Sequence, residues 1–286
     1  MSKRMNAPFV AVLCAVILLI SGWCPVNAAA LQQDHKETVI QASQKLLNFA
    51  NYRMTIDSTT LMTVQGKHVK SVVKGEYDVQ VKPLLGKNTI DITTYVDSDQ
   101  YTNKIVQYIE ENEDQIAIYS NMDKQWLRQS LPKAAYNPLN DYNSYIKAIK
   151  NVTIKNQDAD ATVFKVVASG TYMKEELKRS MALVGVGNIQ LTDDFLKELS
   201  DLTYYLTIDR KTGTVTRVAM DSSDFMKQFG NSLVDTMQVP NDKKALLREM
   251  FNSMKTVTHI SFSQFNKIGK ITIPQDAVQT SKMVAL

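Results

Sequence analysis

The sequence predicts an α+β fold: a broad curved antiparallel sheet, an open half-barrel, with helices covering its concave face. A helical period in the apolar residues gives way to a period of two at residue 52, which marks a helix running into an amphipathic strand. Five more strand-like segments follow before residue 131, set off by turn-forming residues. Amphipathic helices return later in the chain, and a sheet with one apolar face must bury that face against such partners. The twist of a wide sheet favours curling around them.

The first thirty residues read as a secretory signal peptide. Lys3 and Arg4 make a basic start, residues 9–20 are an unbroken apolar run, Ser21, Gly22 and Pro25 break it, and cleavage is expected after Ala28 or Ala30. The run is shorter than the roughly 20 residues a spanning helix needs. Cys24 follows the bulky Trp23 and has no leucine three residues before it, which argues against lipidation. Cys14 and Cys24 leave with the signal, so no disulfide is available and the exported domain is held by its apolar core. Losing Lys3 and Arg4 takes the 33 basic residues to 31 against 29 acidic ones, a mature charge of about +2. Nucleic acid is excluded as a partner on this balance, since phosphate binding needs a basic stripe.

In residues 34–50, Val39, Ala42, Leu46 and Ala50 recur near the helical period, and Asn51 ends the run. Tyr52, Met54, Ile56, Ser58, Thr60, Met62 and Val64 then fall on one face of a strand, with Arg53, Thr55, Asp57 and Thr59 on the other. Gln65, Gly66 and Lys67 turn the chain into an antiparallel partner at 68–81, and 87–96, 100–109, 115–120 and 125–130 continue a meander. Residues 138–150 predict a helix capped by Asn137, with Tyr142, Tyr145, Ile146 and Ile149 as its stripe. Strands are expected at 152–155 and 162–169. Thr171 can cap a helix carrying Met173, Leu177, Met181 and Val184, and Thr192 one carrying Phe195, Leu199 and Leu202. A hairpin follows, with strands at 203–208 and 214–221 around the turn 209–213. Ser223 opens a helix with Phe225, Phe229, Leu233 and Met237, and Asn241 one with Leu247, Met250, Phe251 and Met254. Residues 256–265 are expected to close the sheet, and 272–286 to form a short tail with the single Pro274. No linker rich in Gly, Ser or Pro and no fixed repeat divides the chain, so 31–286 reads as one domain.

Three of these segments carry a resemblance: the helix 34–50 leading into the strand from Tyr52, the hairpin Tyr205-Leu-Thr-Ile-Asp209-Arg-Lys-Thr-Gly213, and the last strand followed by Ile273-Pro274. In them the chain resembles the lipoprotein-carrier (LolA-like) superfamily, and within it a group of uncharacterised secreted proteins and lipoproteins of Firmicutes-type bacteria. The resemblance implies an open half-barrel whose helix-lidded cavity takes acyl chains or other greasy ligands. Many members of the group have a lipidation cysteine that this chain lacks.

Enzymatic signatures are incomplete. Lys211-Thr-Gly213 and Ser144-Tyr-Ile-Lys147 match two elements of penicillin-interacting serine enzymes, but no Ser-x-Asn lies between them. Both motifs read better as a hairpin turn and a helix surface. No Gly-x-Ser-x-Gly supports a serine triad. His35, His68 and His259 are far apart and no cysteine remains to join them, so no zinc set is expected. Asp158 and Asp160 have calcium-loop spacing without the glycine or the distal glutamate, and Asn151-Val-Thr153 is a glycosylation pattern without meaning in a bacterial host.

What remains is methionine. Met173, Met181, Met226, Met237, Met250 and Met254 fall in expected helices beside Phe225, Phe229 and Phe251. Flexible thioethers accept varied greasy shapes, although the same stripes also serve ordinary core packing. The expected function is an exported, non-enzymatic protein that binds a hydrophobic ligand, a lipid or lipoprotein acyl chain, between sheet and helices. The lining residues are Met54, Ile56, Met181, Phe225, Phe229, Met250 and Met254. No cofactor or metal is expected. Partners are a hydrophobic small molecule or lipid and a membrane or envelope protein, and the chain is expected to be monomeric, in the periplasm or outside the cell. The alternative is a cell-envelope interaction or sensing module with the same fold and a filled core, exposing an aromatic patch near Tyr136, Tyr142 and Tyr145.

Overall fold

A computed structural model describes residues 33–122, 125–133, 148–170, 199–237 and 239–283. The architecture is α+β, an open curved sheet carrying helices on its inner face. Helix α1 (Gln33–Asn48) leads into β1 (Asn51–Val64). A meander follows through β2 (Lys67–Gln80), β3 (Leu85–Val96), β4 (Asp99–Glu111), β5 (Gln115–Met122) and β6 (Gln125–Pro132). The turn from β1 to β2 places Gln65 at φ 54° and Gly66 at φ 70°, the left-handed pair of a tight hairpin whose twist matches its strands.

A second antiparallel run consists of β7 (Ile149–Gln157), β8 (Ala161–Ala168), β9 (Leu202–Asp209) and β10 (Thr214–Asp221). Helices α2 (Ser223–Thr236) and α3 (Asn241–Ser253) come next, and the chain returns as β11 (Lys255–Ser263). Strand β11 does not close an edge of the sheet. It lies at the centre, between β1 and β10, and joins the two runs into one twelve-stranded sheet of order β12-β6-β5-β4-β3-β2-β1-β11-β10-β9-β8-β7. The pairings are antiparallel except that of β6 with β12 (Lys282–Met283).

Alternation along β1 sets the inner face. Met54, Ile56, Ser58, Thr60 and Met62 are buried there, while Asp57 and Leu61 stand on the outer face. Helix α1 buries Val39, Ile40, Ala42 and Leu46 against β7, β9 and β10. Helix α2 lies on β11, and α3 on β1. The two helices pack on each other where Gly230 leaves room for the Phe251 ring: a Cβ at Gly230 would stand 2.0 Å from Phe251 Cδ1.

Residues 272–286, expected as a tail, are built into the fold as far as Met283. Helix α4 (Gln275–Thr280) and the preceding segment cross to the outer face over β4–β6, where Ile271 and Ala277 join Tyr108, Ala117, Tyr119 and Trp126 in a second core. The expected helix 138–150 is corrected at its end, because β7 already begins at Ile149 and pairs with Ala168. Its earlier turns, the helix expected from Thr171, the start of the helix expected from Thr192, and the signal segment lie outside the described residues. The end of the Thr192 helix is corrected, because Leu199 is not helical and Leu202 already opens β9. Among the described residues no helix is long and apolar enough to cross a membrane.

Candidate functional site

Six of the seven expected lining residues come together in the main core. Met54 and Ile56 point inward from β1, opposite Phe262 and Ile260 on β11. Phe225 and Phe229, one helical turn apart on α2, stack with ring centroids 6.4 Å apart and planes 1° from parallel. Met250 and Met254 come from α3 and the residue that follows it. All six are less than a tenth exposed. Met181 lies outside the described residues.

Set into the same inner face is a band of hydroxyls that sequence reasoning missed. Thr256 on β11, Thr60 on β1, Ser71 on β2 and Thr94 on β3 are register partners in one row across four strands. Thr60 Oγ1 and Thr256 Oγ1 are 3.1 Å apart, and in the neighbouring row Ser58 Oγ and Thr258 Oγ1 are 2.8 Å apart. Ser222 extends the first row, since its N–H donates to the Thr256 carbonyl at 3.0 Å. All of these residues are buried. The signal was present in β1, where Ser58 and Thr60 interrupt an apolar face, but their partners appear only once β11 is placed.

Over the central strands the outer face carries polar rows. Across β11, β1, β2, β3 and β4 it reads His259, Asp57, Lys74, Asp91 and Lys104. The next row holds Ser261, Thr55, Glu76 and Thr89. Between the rows lies a depression of about 490 Å³ lined by residues of these two rows, Lys104 apart, together with Ile56 and Gly75. Arg53 borders it, gripping Asp78 through Nε and Nη2 at 2.6 and 2.9 Å and reaching Glu76 at 3.2 Å. His259 Nδ1 lies 3.2 Å from Arg217 Nη2.

The other motifs resolve into turns. Lys211-Thr-Gly213 is the β9–β10 turn: Asp209 Oδ1 accepts from the Thr212 N–H and hydroxyl, both at 2.7 Å, and Gly213 adopts φ 62°. These bonds hold the Asp209 carboxyl below its ordinary range, the Thr212 hydroxyl contributing most. Asp158 Oδ1 accepts from the Ala161 and Asp160 N–H groups, which lower its pKa in the same way and commit that oxygen to a turn. His35 is on α1 with its ring 5.9 Å from that of Phe164, His68 is on β2 and His259 on β11. Among the described residues no group of three or more His, Cys, Asp or Glu is placed to hold a metal ion. Ser144, Lys147, Tyr136, Tyr142 and Tyr145 lie outside the described residues.

A family model described as a family of unknown function, DUF6612, matches residues 35–246. No curated protein matches the chain. Among solved structures, that of a DUF1329 family protein from Desulfovibrio piger is similar, with 7% sequence identity, a TM-score of 0.26, and coverage of 79% of this chain and 89% of that one.

Proposed function

The chain belongs to the DUF6612 family of unknown function, and from that premise we propose that it is an exported, non-enzymatic protein that holds a hydrophobic ligand, a lipid or lipoprotein acyl chain, between sheet and helices. Kinship with the lipoprotein carriers is part of the proposal. One observation carries it. Met54 and Ile56 from the sheet meet Phe225, Phe229, Met250 and Met254 at the helix layer of an open sheet. Thioether and aromatic side chains at such a seam can re-pack around a guest. Each buried methylene contributes about 0.8 kcal/mol, so a long acyl chain binds without polar contacts.

Titration with the apolar dye N-phenyl-1-naphthylamine, together with mass spectrometry of an organic extract of the purified protein, tests the reading. Saturable micromolar binding and a co-purifying lipid are expected. A flat titration with an empty extract overturns it. The second reading, an envelope interaction module, is favoured by the polar depression around Thr55, Asp57 and Asp91. It expects charge substitutions there, and not at the seam, to abolish capture of an envelope partner.

A further inference from the structure

The hydroxyl band is costly to bury. An inner sheet face takes apolar side chains without penalty, whereas a buried hydroxyl without a partner loses free energy relative to water. Two hydroxyls of the band are in that position. Ser71 Oγ on β2 and Ser222 Oγ just ahead of α2 are both buried and have no hydrogen-bond partner among the described residues. They belong to different elements, and the row Thr256, Thr60, Ser71 runs from one towards the other. Ser222 occupies the N-cap position of α2 yet makes no side-chain cap bond, so that hydroxyl is not spent on the helix.

The composition of the interior fixes the kind of group that fits. Every buried polar residue among the described residues is a serine, threonine or asparagine, and none is charged. A charged guest group would find no buried counter-ion among the described residues, and an unpaired buried charge costs far more than an unpaired hydroxyl. The band is also continuous with the expected lining, because the inner face of β1 reads Met54, Ile56, Ser58, Thr60. At about 3.4 Å per residue, a chain leaving the hydroxyls reaches Met54 within roughly 20 Å.

We propose that Ser71 and the adjoining Thr60–Thr256 pair, with Ser222 at the far end of their row, form the head-group subsite for a neutral, hydrogen-bonding amphiphile. Such a molecule carries a hydroxyl, ester or amide head on an alkyl tail, as in an acylglycerol. This rests on the seam being a ligand site and assigns its polar end.

Displacement of N-phenyl-1-naphthylamine by mono-oleoylglycerol and by oleate, which share a tail and differ in head charge, tests it on protein purified after expression of the full chain. Mono-oleoylglycerol is expected to displace the dye at about tenfold lower concentration, the size of one good buried hydrogen bond. Ser71→Ala and Ser71→Val are expected to erase that preference, read as the ratio of the two competitors' displacing concentrations within each variant, while cooperative urea unfolding shows that the variants are folded. Equal displacement by the two competitors overturns the inference and leaves the seam reading standing. So does a preference that survives in both Ser71 variants, the result expected if the band holds only water. Failure of the dye to bind the parent protein overturns the seam reading and this inference with it.

Discussion

The indole Nε1 of Trp126 on β6 donates to Asp276 Oδ2 in the first turn of α4 at 2.9 Å. This bond fastens the C-terminal segment over the outer core, where the Trp126 ring also lies 6.0 Å from that of Tyr108. Asp276→Ala leaves a buried donor unpaired and is expected to cost about 1–3 kcal/mol. The other tryptophan, Trp23, lies in the expected signal, so intrinsic fluorescence of the processed protein reports this bond directly. Urea unfolding followed by fluorescence should show a lower midpoint and a red-shifted native spectrum. An unchanged spectrum would show that the segment docks without the bond.

Gly230→Ala sets two effects against each other. Alanine gains about 1 kcal/mol in helix propensity, but its Cβ would overlap the Phe251 ring on α3, and overpacking costs about 1–3 kcal/mol. Net destabilisation is expected, with most of it relieved in the double variant carrying Phe251→Leu. Additive costs in that double-mutant cycle would place the strain elsewhere.

On β2 the Tyr77 ring covers Gly75, so that a Cβ at Gly75 would lie 2.5 Å from Tyr77 Cε2. Here an aromatic side chain shields a glycine backbone within one strand, and Tyr77 is 5% exposed. Tyr77→Ala opens a hollow on the inner face and is expected to lower stability by about 3–5 kcal/mol. Chemical denaturation with an unchanged m-value is the check. A loss below 1 kcal/mol would mean the face collapses to fill the space.

Ligand binding should appear as stability. At 100 times its Kd a ligand specific for the native state adds about 2.7 kcal/mol, so saturating mono-oleoylglycerol is expected to raise the thermal midpoint. Met254→Ala should lose stability without ligand and recover part of it with ligand. An identical midpoint with and without ligand, in parent and variant alike, counts against a guest at the seam.

Acid should weaken the β9–β10 turn. Asp209 has an ordinary value of 3.8 and is held lower in the native state by the Thr212 hydroxyl and N–H. A carboxyl depressed on folding contributes stability that is complete above its ordinary value and lost as pH falls below 3.8 through the native value. Asp209→Asn is therefore expected to be less stable than the parent at pH 6, with the gap narrowing below pH 3.8. Thermal scans between pH 6 and pH 2 measure it, and a gap that widens on acidification would reverse the sign.

Local pattern made most of the strands legible. The alternation from Tyr52 and the Gln65-Gly66 turn locate β1 and β2 to within a residue, because both depend on neighbours in sequence. Non-local pairing was not legible. Residues 256–265 read correctly as a strand, but nothing in Ile260 or Phe262 announces that they face Ile56 and Met54. The hydroxyl rows and the outer depression were hidden for the same reason, since each is assembled by register. The docked tail was missed because Ile271 and Ala277 are sparse apolar residues, whose burial depends on Tyr108, Tyr119 and Trp126 lying on the outer face of distant strands.

Placing β11 in the middle of the sheet has a temporal consequence. Among the described residues, the meander that ends at Pro132 and the run that begins at Ile149 share ladder hydrogen bonds only through this late strand. A chain emerging from its N-terminus, whether from a ribosome or a translocation pore, therefore carries two half-sheets with open inner edges at β1 and β10 until Ser263 has appeared. Those exposed edges are the interval in which wrong pairing between copies is cheapest, and its length is set by the residues separating Val64 from Lys255.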